Sequence, residues 1–423
     1  MSESTIAILI VAVSMFLFIS GKIPIGITAV LGTVAMALSG IIPYSAAFAA
    51  FGSDTVMMVI GMITIGNAMF ETGFASIIGG SVAKNKVIGS NERRFLLFII
   101  TSTVIMSAFF SNTATVAIFL PLISSVALAS GGKITKKNTY MAVGLASVVG
   151  GSMTLIGSTP QLLAQGVLQA AGGEVLGFFT LLPGVLPAFI VMLLYYSTIG
   201  YTLQNKVFSF AEKQYNSLPE ADTKAGNKRM WICSIIFVAV VLGCLCNFAT
   251  FGTVAILGAC LCVLTGCISI TRAFFLMDWM SIMVLGGSLG LAEGLNQSGA
   301  IDLIAQNTLA ILGGSQASPW LVSLAIALIC SLLSNTMSST ATAAVMTPFV
   351  IGLANSMGVR PLTYVIIVII SLNVCFTTPI NTPPITMTLS AGYRFKDYVI
   401  VGGLLNILAL TASVICIPLI YGF

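Results

Sequence analysis

Ser111-Asn112-Thr113-Ala114-Thr115, with Pro121 ten residues after Ser111, returns later as Ser338-Ser339-Thr340-Ala341-Thr342 with Pro348. Each pentad is a polar knot inside a run, 95–129 and 318–355, that is otherwise apolar. The two copies lie 227 residues apart, and other marks keep nearly that distance. Gly26, Gly32, Gly40 and Gly73 recur as Gly252, Gly258, Gly266 and Gly299 at an offset of 226. Gly157-Ser158-Thr159-Pro160 recurs as Asn381-Thr382-Pro383-Pro384 at 224. Glycines alone coincide easily; three sets at nearly one offset define an internal repeat.

The surroundings of the knots are those of a membrane protein. Of 423 residues, 57% are hydrophobic and 7% charged, where a soluble domain carries about 25% charged residues. Lipid has to cover such a surface. The 41 glycines suit close helix packing. Apolar runs long enough to span lie near 5–20, 24–40, 55–72, 139–172, 176–202, 231–248, 252–268, 279–295, 361–390 and 398–421. Residues 5–20 lack a basic leader and read as a first membrane helix. If each knotted run enters and leaves on one side, the chain has about ten transmembrane crossings plus two re-entrant helical hairpins.

Basic residues test that count. With the 203–230 stretch in the cytoplasm, every Lys and Arg except Arg360 falls on the cytoplasmic side. This obeys the positive-inside rule, and reading either knotted run as a full crossing spoils it. Both termini then face outside a cell (inner) membrane. The net charge of +5 is thus a topology signal, and no nucleic-acid partner is implied. Each half has an odd number of crossings, so the halves are inverted. The expected fold is an all-α polytopic membrane protein of two inverted-topology repeats. The first, 1–202, holds hairpin 95–129 and broken helix 139–172; the second, 231–423, holds hairpin 318–355 and broken helix 361–390; 203–230 is the cytoplasmic linker. Inverted repeats with interrupted helices are characteristic of secondary transporters.

Non-helical backbone survives at membrane depth only where protein or a wet cavity surrounds it. At the first tip Ser111 or Asn112 can cap the helix that follows, aiming its unpaired N–H groups and positive dipole end at a cavity. Ser107, Ser111 and Asn112 offer neutral oxygens; Ser107 precedes Ser111 by four residues, one helical turn, and Ser334 and Ser338 repeat that spacing. Opposite each tip is a proline break, which frees upstream carbonyls. Carbonyl, hydroxyl and amide oxygens make a hard-cation site; helix N-termini favour an anion. Together they predict an anion bound beside small cations such as Na⁺. No aromatic or long apolar wall is evident in the knots, which disfavours bulky hydrophobic solutes.

Absences narrow the chemistry. There is no histidine, and none of the 12 acids lies in a knot. Asp54 and Asp278 sit at helix starts and read as N-terminal caps. A proton relay usually needs intramembrane Asp, Glu or His, so a proton-driven exporter lacks its titrating group. An intramembrane enzyme lacks acid–base and metal-binding motifs altogether. The nine cysteines form no CxxC pair and read as small buried residues. No cofactor is expected.

These tips and breaks resemble the divalent anion/sodium symporter (DASS) family, within the ion transporter superfamily, from about residue 20 onward. The resemblance implies a homodimer, an elevator motion and sodium held between each tip and its break. Carried over, the cation residues are Ser107, Ser111, Asn112 and Gly157 in one half, and Ser334, Ser338, Ser339 and the backbone near Asn381 in the other. The substrate residues are Asn112, Thr113, Ser158, Thr159, Ser339, Thr340, Thr382 and Pro383. The chain departs from the family where Ser339 replaces the second asparagine, Thr159 the first proline of a pair, and Gln161 and Ile385 the asparagine after it. The implied function is sodium-coupled symport of a small divalent anion, a C4-dicarboxylate. The alternatives are an anion exchanger of the same fold, or a sulfate or citrate transporter.

Overall fold

With few charges and long apolar runs, the backbone has to satisfy its own polar groups, and the helix does so within each segment. The computed structural model describes residues 2–20, 22–73, 91–130, 133–208, 227–246, 248–301, 303, 318–336, 338–379 and 382–423. Among them there is no strand. Segment 74–90 with Lys84 and Lys86, linker residues 209–226, and Asn381 lie outside the described residues. Four helical stretches, Lys228–Leu245, Pro319–Thr336, Ser339–Met357 and Phe395–Tyr421, are each long and apolar enough to cross a membrane.

The first half contains α1 (Glu3–Ser20), α2 (Ile25–Leu38), α3 (Asp54–Glu71), α4 (Glu92–Ser107), α5 (Asn112–Ala129), α6 (Lys136–Gly151), α7 (Thr159–Ala170), α8 (Leu182–Ser197) and α9 (Ile199–Val207). The second contains α10 (Asn227–Leu245), α11 (Phe251–Leu264), α12 (Trp279–Gln297), α13 (Pro319–Thr336), α14 (Ser339–Met357), α15 (Pro361–Asn373), α16 (Pro383–Met387) and α17 (Gly403–Tyr421). Helices α6, from Asn138 on, and α15 are buried almost all round, as their mostly small or apolar sequences allow. Helix α6 packs against the pair α4–α5, and α15 against the pair α13–α14.

Packing partners exchange between the halves. Helix α2 lies along α12, and α3 along α11. Gly32 meets Ser14 and Leu291; Gly258, 226 residues on, meets Val240 and Ile65, each of which is also shifted by 226. Gly61 sits on the backbone of Ala255, and Gly287 on that of Ala29. A Cβ at any of the four would overlap its neighbour, so glycine sets the helix separation. Gly40 and Gly266 end α2 and α11 at φ of 77° and 70°. The bond Ile41 N–H to Met36 O has its image in Cys267 N–H to Cys262 O, the same left-handed helix stop.

Polar pins hold the two ends. Glu92 accepts from Thr135 N (2.8 Å), Thr135 Oγ1 (2.5 Å), Asn138 Nδ2 (2.9 Å) and Tyr201 Oη (2.8 Å). Tyr393 donates to Lys137 O at 2.5 Å nearby. Away from this cluster Arg360 grips Glu174, with Nε and Nη2 donating at 2.7 and 2.5 Å, and Arg360 Nη1 reaches Tyr421 O.

Candidate functional site

At the first tip α4 ends at Ser107 and the chain turns over 108–111. Ser111 caps α5 by accepting from Ala114 N at 3.4 Å. The N–H groups of Asn112 and Thr113 lie in the first turn, where no helical acceptor exists. The Ser107–Ser111 spacing is not a helical turn, because the helix has already stopped. Ser107 Oγ instead meets the Asn112 amide at 2.8 Å. That amide, with its nitrogen inward, donates to Ser147 O (3.0 Å) and Gly157 O (3.2 Å). Gly151 makes room for it: a Cβ there would collide with the Asn112 side chain.

At the second tip Ser338 caps α14 by accepting from Ala341 N at 3.2 Å. Ser334 Oγ and Ser339 Oγ lie 2.7 Å apart. Both donate to Leu372 O, at 2.9 and 3.0 Å. Cys375 Sγ approaches the same carbonyl at 2.9 Å and lies 3.9 Å from Ser339 Oγ.

Helix is interrupted once in each half near the break residues. In the first half helix stops at Gly151 and resumes at Thr159, with Pro160 in the first turn of α7. In the second it stops at Asn373 and resumes at Pro383. The freed carbonyls are not all free. Gln161 Nε2 donates to Gly151 O and Thr154 O, both at 2.6 Å, so the residue in the family asparagine's place ties up its own break. Ile385, its counterpart, is buried and apolar. Thr382 Oγ1 is buried and has no hydrogen-bond partner among the described residues.

Tips and breaks meet at one cavity of about 470 Å³. Asn112, Thr113, Ser158, Thr159, Ser339, Thr340, Thr382 and Pro383 all line it. Ser111, Gly157 and Ser338 line it too, while Ser107 and Ser334 are fully buried behind the tips. The N-termini of α5, α7 and α14 all reach it; sequence reasoning counted only the two tips. It also missed Asn373, on the cavity wall, whose Oδ1 lies 3.4 Å from Ser158 Oγ and whose Nδ2 donates to Gln161 Oε1 at 3.4 Å. No signal marked this residue, because its repeat image falls on an apolar position.

Two expectations change. The cavity has an apolar aromatic side, with Phe109 and Phe110 from the first tip itself and Met62, Ile63 and Phe70 from α3. Among the described residues one carboxylate also lines it. Asp278 caps α12, its Oδ1 accepting from Ser281 N at 3.1 Å and its Oδ2 from Ser281 Oγ. Its charge is therefore balanced at its own helix start. Asp54 does not cap: Ser53 caps α3, and Asp54 Oδ1 accepts from Gly252 N at 3.0 Å. Among the described residues no Lys or Arg lines the cavity.

A family model described as citrate transporter (CitMHS) matches residues 15–343 and 249–423. An uncharacterized transporter of Haemophilus influenzae is 25% identical over 414 residues, covering 92% of this chain and 86% of its own. The sodium-dependent high-affinity dicarboxylate transporter 3 of Caenorhabditis elegans is 25% identical over 458 residues, covering 94% and 80%. The sodium-dependent dicarboxylate transporter SdcS of Staphylococcus saprophyticus is 24% identical over 437 residues, covering 95% and 83%. In fold, the chain is similar to the YdaH transporter of Alcanivorax borkumensis (TM-score 0.65, 15% identity, 92% and 88% covered). It is also similar to MtrF of Neisseria gonorrhoeae (TM-score 0.62, 12% identity, 99% and 94% covered).

Proposed function

The chain belongs to the citrate transporter (CitMHS) family and is an integral membrane transporter, not an enzyme; on that premise we propose that it carries a small divalent anion, a C4-dicarboxylate, together with sodium. The observation that carries this reading is the convergence of both tips and both breaks on one cavity that has no basic side chain among its described lining residues. Helix N-termini and co-bound cations are left to balance the anion. Each N-terminus presents roughly half a positive charge and unpaired N–H donors. At the first tip Ser107 Oγ, Ser147 O and Gly157 O all lie within hydrogen-bond distance of the Asn112 amide, and turning that amide over would add its oxygen to a set of neutral oxygens of the kind a hard cation takes. The sodium-dependent dicarboxylate transporters among the relatives support the same pairing of ions.

In the proposed architecture 95–129 and 318–355 are re-entrant hairpins in two inverted repeats with ten crossings. The linker is cytoplasmic, and both termini are outside. The exchanged glycine contacts support the repeat. The Glu92 cluster, which joins 92, 135–138 and 201 at one end, supports the charge assignment. A homodimer with an elevator motion completes the proposal and rests on the family resemblance. Citrate is the second reading, favoured by the family's description and by a cavity with room for a third carboxylate.

Uptake into proteoliposomes with and without an inward sodium gradient tests the function. Labelled succinate or malate should enter faster with the gradient, and citrate should compete weakly. Equal uptake in choline and sodium, abolished by a proton ionophore, overturns the coupling. Labelling Lys133→Cys and Arg360→Cys from opposite faces tests the topology.

A further inference from the structure

The two tips are not built alike. At the first, a long amide side chain stands against a glycine: Asn112 fills the space that Gly151 leaves open. At the second, a short hydroxyl stands against a thiol: Ser339 Oγ lies 3.9 Å from Cys375 Sγ. Each pair fills its own gap, and neither partner fits the other pair. An asparagine at 339 would enter the volume that Cys375 occupies.

The chemistry differs as well. An amide carries a donor and an acceptor at the same reach, so half a turn of Asn112 exchanges hydrogen bonds for an oxygen ligand between Ser147 O and Gly157 O. At the second tip Ser334, Ser339 and Cys375 all converge on Leu372 O. A carbonyl has two lone pairs, so any two of these three donors saturate it and leave none for a cation. The thiol is moreover a soft group, poorly suited to a hard cation.

We propose that the Ser339–Cys375 pair closes the second tip to sodium, so that each dianion enters with one sodium, held at Asn112. This rests on the sodium-coupled reading above and deepens it. Its consequence is electrical: a dianion with one Na⁺ moves one net negative charge inward per cycle. An inside-negative potential then slows uptake.

The experiment compares wild type with Ser339→Asn, Cys375→Gly and the double variant, in proteoliposomes with a potassium diffusion potential. Wild-type uptake should depend on sodium with a Hill coefficient near 1 and should slow when the interior is made negative. Ser339→Asn alone should lower the thermal midpoint of the purified protein. Adding Cys375→Gly should restore the midpoint, raise the Hill coefficient toward 2 and remove the sensitivity to potential. A wild-type coefficient of 2 or more, with uptake accelerated by a negative interior, overturns the proposal. So does a Ser339→Asn midpoint equal to wild type, because Cys375 then leaves room for the amide. Sodium-independent uptake by wild type overturns the functional reading instead, and the midpoint comparison, made without sodium, separates the two failures.

Discussion

Ala341, one turn behind the second tip, packs with Ala29 of α2 and Phe18 of α1, while its repeat image Ala114 lines the open cavity. The second tip is therefore covered and the first is open, with Ser111 and Thr113 exposed. The Thr159 hydroxyl, 3.4 Å from Ser281 Oγ, ties the first break to the start of α12 in this same arrangement.

If the halves are inverted as proposed, a second arrangement is expected in which the roles exchange. The image of Ala29 at an offset of 226 is Ala255, so Ala114 should pack there once the first tip is covered. In a background freed of reactive cysteines, Ala29→Cys with Ala341→Cys should cross-link and stop uptake until reduced. Ala114→Cys with Ala255→Cys should do the same, with a yield that responds to sodium and substrate. If the second pair never cross-links under any condition, the exchange of covered tips is wrong.

Asn112→Ala removes the one amide at the first tip. A hydrogen bond or ligand to a charged group is worth about 1.5–3 kcal/mol, so the sodium concentration for half-maximal uptake should rise on the order of tenfold to a hundredfold. The apparent substrate affinity at saturating sodium should move much less. Sodium titrations of initial uptake rate distinguish this from a loss of substrate binding, in which the two constants move together.

Glu92 is the partly buried acceptor that joins α4, the start of α6 and α9 through Thr135, Asn138 and Tyr201. Glu92→Ala leaves those donors without their acceptor, at a cost of about 2–4 kcal/mol on the scale of such truncations. Glu92→Gln keeps the shape and part of the bonding, and should cost less. Thermal midpoints in detergent should rank wild type, Gln, Ala in falling order. An Ala variant as stable as wild type contradicts the pin.

Much of this was legible in the chain itself. The offset near 226 already pairs Gly40 with Gly266 and Gly73 with Gly299, and all four adopt positive φ. The tip sequences located the cavity because hydroxyl and amide groups at membrane depth need protein or water around them. What the sequence could not reveal were partners brought in from elsewhere. Phe70 and Met62 reach the cavity from α3, an unbroken apolar helix with no local mark. Gln161 was visible as a substitution, but its grip on Gly151 O and Thr154 O depends on how the break folds back. Cys375 looked like any small buried residue until its sulfur proved to stand against Ser339.

Arg360 holds the Glu174 carboxyl below the usual carboxylate range, first through the side-chain hydrogen bond and then through its charge. A depressed acid contributes stability that is complete above its unfolded pKa and lost as pH falls through the folded one. Both partners are about half exposed, so water screens the pair and its worth is at most about 1 kcal/mol. Arg360→Gln should therefore lower the thermal midpoint at pH 7 only slightly. The gap to wild type should close on acidification toward pH 3. A gap that widens on acidification has the wrong sign for this pair.

The charge of the solute follows from how the cavity is floored. Helices α5 and α14 bring their N-termini to it from the two halves, and each presents about half a positive charge with free N–H donors. Thr113 and Thr340 stand in those first turns and add hydroxyl donors. The N-terminus of α7 joins that of α5 from the first half, so positive ends face the space from both halves and suit a solute with an anionic group at each end. A monoanion leaves one end unmatched, and a cation is repelled by both. Succinate and malate should therefore compete for uptake, while lactate and the uncharged diamide should not. The aromatic side formed by Phe109 and Phe110 also allows a short methylene chain to be covered, so longer dicarboxylates should lose affinity gradually. Thr113→Val and Thr340→Val keep the shape and delete the hydroxyl. Each should raise the half-saturating substrate concentration roughly tenfold, the worth of one hydrogen bond to a charged group at the low end of its range, with the sodium dependence nearly unchanged. Thr382→Val should have a smaller effect, because Thr382 lines the cavity but its Oγ1 is buried, without a partner among the described residues. Competition by sulfate alone, with every dicarboxylate inert, would move the assignment to an inorganic anion and leave the site where it is.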